Sequence, residues 1–313
     1  MEMGMENEYK ISGKDLSQEK IEEFRSLLKN RRKESQRPVE GEPLKNEREL
    51  WIVKKINEYI NEEFKLLGLS ANPDLSPECF HFLPQEVYSK QLKEDTSADS
   101  KAVSANYVFL KGAIYINSDA GNNLRLFVDA LHESLHYLSV ATIQIYPQRG
   151  VGQRRLGYQI TQVRKGSETI QRPMGFNEAV TEAVNAEIVH RHKDELKNKF
   201  PDEKDSYLFS YTAGRDLLDL IINKIAVGTD DNSEKIWHRI KLGLFTGGMT
   251  HLRNIEKTFG KNSLKILAMF SHWVPNETKK KIVAYFETND LSERQKIADE
   301  LLSKESPGKN SSE

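Results

Sequence analysis

The stretch LRLFVDALHESLHYLSVA, residues 124–141, is apolar on nearly every side, and no other feature limits the fold of this chain as much. A helix that is hydrophobic all round belongs in an interior. Yet this one carries His132, Glu133 and His136. Burying such groups is costly unless each finds a partner. On a helix, positions i and i+4 project from the same face, so the two imidazoles are aimed at one place.

That spacing suits a metal. Two imidazoles from His132-Glu133-Ser134-Leu135-His136 can grip one zinc ion. Glu133, one residue from the first imidazole, can reach a water on that ion without binding the ion itself. Zinc lowers the pKa of such a water toward neutrality, and a nearby carboxylate can accept its proton. A catalytic zinc takes three protein ligands and keeps a position open. No histidine follows His136 before His190, so the third ligand is expected from FNEAVTEAVNAEI, residues 176–188. There Glu178 and Glu182 stand four apart and face the same way.

Around these motifs the periodicity predicts an α+β chain, predominantly α. Residues 1–13 read as loose. A helix follows, capped by Asp15 or Ser17, with Ile21, Phe24, Leu27 and Leu28 on one face. Pro38 and Pro43 break it, making 34–46 a linker and 1–46 a flexible, partly helical extension. Trp51, Ile52, Ile56, Ile60 and Phe64 recur at helical spacing over 47–67. CFHFL (79–83), ANYVFL (105–110) and AIYIN (113–117) read as strands of a small sheet, with Lys111-Gly112 as a hairpin turn. The polar run 90–101 reads as an exposed loop, and the edge of AIYIN as a place where an extended peptide could pair. Residues 154–172 read as a hairpin turning at Lys165-Gly166. Helices are expected at 176–197, 206–227, 233–245, 250–259, 261–272, 276–287 and 291–303, as a C-terminal bundle. Residues 47–304 then form one domain, followed by a tail at 305–313.

The two motifs together resemble the gluzincins, the thermolysin-like zinc peptidases that pair HExxH with a downstream helix of the form N-E-x-x-S/T-D/E. Here the second motif stands as Asn177-Glu178-Ala179-Val180-Thr181-Glu182. The resemblance covers roughly residues 105–190 and points to a compact intracellular bacterial type. It implies a zincin-like fold, with a small sheet beside the zinc-binding HExxH helix and a helical bundle after it. It makes Glu178 the third ligand and Glu182 the carboxylate that orients His132 through its far nitrogen. Tyr211-Thr212-Ala213-Gly214-Arg215 is similar to the Tyr-x-x-Gly segment of gluzincin aminopeptidases, which implies that the Tyr211 hydroxyl stabilises an oxyanion. His251 is a second, weaker candidate for that task. The Gly-x-Met-Glu-Asn segment of those aminopeptidases is absent, as are obvious calcium loops.

The remaining composition removes other classes. Lys and Arg number 46 against 47 Asp and Glu, so a polyanion partner such as nucleic acid is not expected. The single cysteine, Cys79, can form neither an intrachain disulfide nor a Cys-rich metal site. The acidic N-terminus lacks the pattern of a secretory signal, and no apolar run is long enough to span a membrane, so a cytoplasmic location is expected. The expectation is a zinc peptidase acting on peptide or protein substrates with Glu133 as general base. The alternative is an inactive or regulatory zinc-site protein serving as an interaction module.

Overall fold

Most of the backbone is helical because long stretches repeat their apolar residues every three or four positions, while the strands are short and few. The computed structural model describes residues 10–12, 17–70, 75–95, 103–146, 150–163, 169–201, 212–271 and 274–303. The fold is α+β and predominantly α. Among the described residues no helix is long and apolar enough to cross a membrane. The chain divides into two compact units, one of residues 1–156 and 181–210, the other of 157–180 and 211–313.

The first unit begins with strand β1 (Lys10–Ser12), in a segment expected to be loose, and helix α1 (Gln18–Ser35). The Ser17 hydroxyl caps α1 by accepting from the Lys20 N–H. Helix α2 (Glu47–Leu66) starts in a capping box between Asn46 and Glu49. Its stripe of Ile52, Ile56, Ile60 and Phe64 is buried. Strand β2 (Phe80–Leu83) comes next, and helix α3 (Gln85–Asp95) runs into the stretch 90–101 where a loop was expected. Tyr88 and Leu92, one turn apart, explain the difference: both are buried in a cluster with Leu83, Ala113 and Tyr115. Packing of that narrow apolar face overrides the polar composition.

Strands β3 (Ala105–Val108) and β4 (Ala113–Asn117) follow as an antiparallel hairpin. Gly112 takes φ +62° in the turn and donates its N–H to the Val108 carbonyl at 2.8 Å. The sheet order is β2-β4-β3, so AIYIN is the central strand and both its edges are paired. AIYIN therefore offers no free edge among the described residues, and β2 and β3 are the edge strands. Helix α4 (Asn123–Leu138), capped by Asn122, lies against β3 and β4. Its Phe127 ring meets Trp51 at 6.3 Å and Tyr59 at 5.8 Å, so α2 covers one side of α4. The helix stops at Ser139, and strand β5 (Ala141–Tyr146) pairs with β1 and with strand β6 (Gly150–Leu156). Leu28, Phe109, Ile143 and Leu156 form a second cluster, which holds α1 in this unit.

The expected linker after α1 is tied down. His81 Nδ1 lies 2.7 Å from Glu42 Oε2, and its Nε2 lies 2.8 Å from the Ser35 carbonyl. Burial alone would raise the Glu42 pKa, but hydrogen bonds from His81 and the Val39 N–H, with the charges of His81 and Lys45, hold it below the ordinary value. A depressed carboxylate stabilises the fold above the ordinary carboxylate range and stops doing so as pH falls through the folded value. Glu42→Gln should therefore destabilise the chain by about 1–3 kcal/mol at neutral pH. That gap should close in acid. Denaturant midpoints measured across pH check this, and a gap that stays constant would refute the assignment.

The second unit holds strands β7 (Gln159–Val163) and β8 (Thr169–Arg172), paired antiparallel. The expected turn at Lys165-Gly166 lies outside the described residues. Helix α5 (Met174–Arg191) is continuous, with 174–180 in the second unit and 181–191 in the first. Helix α6 (Lys193–Lys199) stays in the first. Helices α7 (Thr212–Thr229), α8 (Ser233–Thr246), α9 (Arg253–Phe259), α10 (Ser263–Met269), α11 (Asn276–Glu287) and α12 (Leu291–Ser303) complete the second unit. Its core draws on Leu218 and Ile221 of α7, Ile240 and Leu244 of α8, and Phe259 and Phe286, whose rings meet edge to face at 4.9 Å.

Candidate metal centre

Helix α4 carries the site because its sequence leaves it no surface to turn to water: Phe127, Ala130, Leu131 and Leu135 are all fully buried. Asp129 anchors it toward the sheet. Its carboxylate accepts from Ser104 Oγ at 2.6 Å and from Arg125 Nε at 2.8 Å. Burial pushes the Asp129 pKa up, and Arg125 and Ser104 only partly counter this.

His132 and His136 are 8% and 6% exposed, too buried to be solvated surface groups. Their Nε2 atoms converge to 3.1 Å. His132 Nδ1 lies 2.8 Å from Glu182 Oε2. An ionised carboxylate only accepts, so the His132 proton sits on Nδ1 and its Nε2 presents a lone pair. A lone pair aimed at the neighbouring ring nitrogen is stable only with a proton or a cation between them.

Glu178 completes the cluster. One ligand atom each from His132, His136 and Glu178 all lie within 4.8 Å of one another. Glu178 stands one turn before Glu182 on the continuous helix α5, and Glu182 is fixed to His132, so the helix itself delivers Glu178 to the imidazoles. A tetrahedral ion with metal–nitrogen bonds of about 2.0–2.1 Å separates its ligand atoms by roughly 3.3–3.4 Å. The observed imidazole spacing, 3.1 Å, is within about 0.3 Å of that, and a glutamate has the side-chain freedom to close the rest. The residues present fit a metal ion.

Glu133 is half-buried and is not one of these three residues. Its Oε2 accepts the Tyr107 N–H of β3 at 2.8 Å. A backbone amide leaves no mark in a side-chain pattern, so the sequence could not announce this contact. Asn185 was also missed. It is fully buried on α5, and its Nδ2 lies 3.3 Å from Glu182 Oε2 and 3.2 Å from the Val128 carbonyl of α4.

The other candidates fare differently. Tyr211 lies outside the described residues. His251 is engaged within the second unit: its Nε2 lies 2.7 Å from the Tyr158 hydroxyl, which is also 2.7 Å from the Ile240 carbonyl. That carbonyl must receive the single Tyr158 proton, so His251 donates at Nε2. His192 stacks on Tyr59 at 3.6 Å rather than joining the metal cluster. Compared with protein families, with curated proteins and with solved structures, the chain matches none.

Proposed function

We propose that this chain is a zinc-dependent peptidase with a zincin-like, gluzincin-type centre. His132, His136 and Glu178 would hold the metal, and Glu133 would act as general base. The observation that carries this reading is the convergence of two imidazoles and one carboxylate, with Glu133 one residue from the first imidazole on α4. Two nitrogens and one oxygen are a donor set that suits zinc. Zinc bound there would supply Lewis-acid polarisation of the scissile carbonyl and acidify a water.

The chain's own groups do the rest. The Tyr107 N–H orients the Glu133 carboxylate, which would hold the proton taken from water and deliver it to the leaving amine. Glu182 keeps the His132 proton on Nδ1 and fixes the ring's orientation. The buried wall of α4 keeps bulk water from the ligands. Peptide or protein is the substrate class this chemistry serves.

Metal analysis and cleavage profiling test the proposal together. The purified chain should retain about one equivalent of zinc and cleave members of a peptide library. A zinc chelator should abolish cleavage, and added zinc should restore it. Cleavage that survives removal of the metal would sink the proposal.

A further inference from the structure

Glu182 carries its carboxylate at the end of a flexible side chain, where its Oε2 meets His132 Nδ1. Its hold on His132 is useful only if the carboxylate is itself held, and its neighbour one turn on provides that hold. Asn185 Nδ2 lies 3.3 Å from Glu182 Oε2, the same oxygen that meets His132 Nδ1 at 2.8 Å. The same amide nitrogen lies 3.2 Å from the Val128 carbonyl. Val128 precedes His132 by four residues, so its carbonyl lies one turn before the first ligand along α4.

Both partners of Asn185 accept and neither donates. Turning the amide over would set Oδ1 against a carboxylate and a carbonyl, so Nδ2 must face them. An aspartate there would bring a second carboxylate against Glu182, and a leucine would fill the space with no donor. Asn185 is 0% exposed, so bulk solvent does not compete for these contacts. The two Nδ2 contacts are the hydrogen bonds this buried side chain makes among the described residues, and its Oδ1 has none.

We infer that Asn185 is a positioning residue for the metal centre: it clamps Glu182 onto His132 and ties α5 to α4 at the level of the ligands. The inference rests on the metal-site reading above. A carboxylate behind a ligating imidazole sets that ligand's orientation and basicity, and loss of such support costs about 10–100-fold in metal affinity. Without Asn185, Glu182 has one anchor fewer and the His132 ring a wider swing.

The test is a double-mutant cycle read in zinc affinity, by competition with a chromogenic chelator, on the full chain. Asn185→Leu should weaken zinc binding by about 10-fold or more, toward the level of Glu182→Gln. In the Glu182→Gln background, Asn185→Leu should add little, because both changes remove one linkage. A residue that merely fills space would weaken the fold equally in both backgrounds. Should the leucine variant fail to fold, Asn185→Ala, which removes the donor without adding bulk, takes its place in the cycle. Unchanged affinity in the single variant, or full additivity in the double, overturns the inference while leaving the metal site standing. A parent chain that binds no zinc overturns both.

Discussion

Glu133→Gln should leave the bound metal in place and reduce peptide hydrolysis by about 10²–10⁴-fold, the contribution of a positioned general base. Glutamine preserves the shape of the side chain, and its amide oxygen can still accept the Tyr107 N–H that Glu133 Oε2 accepts now. Exchanging a charged acceptor for a neutral one weakens that bond by on the order of 1 kcal/mol, so the fold survives. Glu133 is also outside the triad of His132, His136 and Glu178, so metal content should not change. What the amide lacks is basicity: it cannot take a proton from water at neutral pH. The variant therefore separates two roles of one residue, support of β3 and proton transfer. Zinc content and kcat/KM measured on the same preparation decide between them. An interaction module built around a structural metal would show no loss in any assay, and a variant that cleaves as fast as its parent removes Glu133 from the chemistry.

The parts of the site that could be read in the sequence are those that a single helix places. His132, Glu133 and His136 follow from helical spacing on α4, and Glu178 and Glu182 follow from the same spacing on α5. Which of the two glutamates faces the imidazole Nδ1 depends on how the helices meet, and helical spacing by itself left that open. The Tyr107 N–H and Asn185 were invisible for related reasons. One is a main-chain group whose role exists only once β3 lies against α4, and the other is one more polar residue on an already mixed helix. The extent of the metal helix misled in a different way. Its apolar run continues through Val140 and Ala141, but Ser139 leaves the helical conformation, and the residues beyond pair with β1 and β6. Ile143 and Ile145 are apolar at alternate positions, a strand signal too short to outweigh the run before it. Pairing partners far away in sequence settled that boundary, as burial of Tyr88 and Leu92 settled α3.

Gly157→Ala should be strongly damaging, at about 2–5 kcal/mol. Gly157 takes φ +54°, where a side chain costs roughly 1–2 kcal/mol by collision with its own backbone. Surroundings add to that. A Cβ at this position would lie 2.4 Å from Asn177 Oδ1 and 2.7 Å from Leu244 Cδ1, closer than atoms in contact can come. Overpacking of this kind costs about 1–3 kcal/mol more. Asn177 cannot simply move aside, because its Oδ1 accepts the Tyr158 N–H at 2.8 Å and the residue is fully buried. Displacing it would leave a buried amide hydrogen without its acceptor, and Asn177 immediately precedes Glu178 on α5. All of these groups belong to the second unit, so the damage should be confined there at first. Hydrogen exchange resolved by peptide should show faster exchange in α7 and α8 than in α2 and α4, since local opening follows local stability. Equal acceleration across both units would mean that Gly157 acts on the whole chain rather than on the turn it occupies, and no change at all would mean that the backbone relaxes to accept the methyl group.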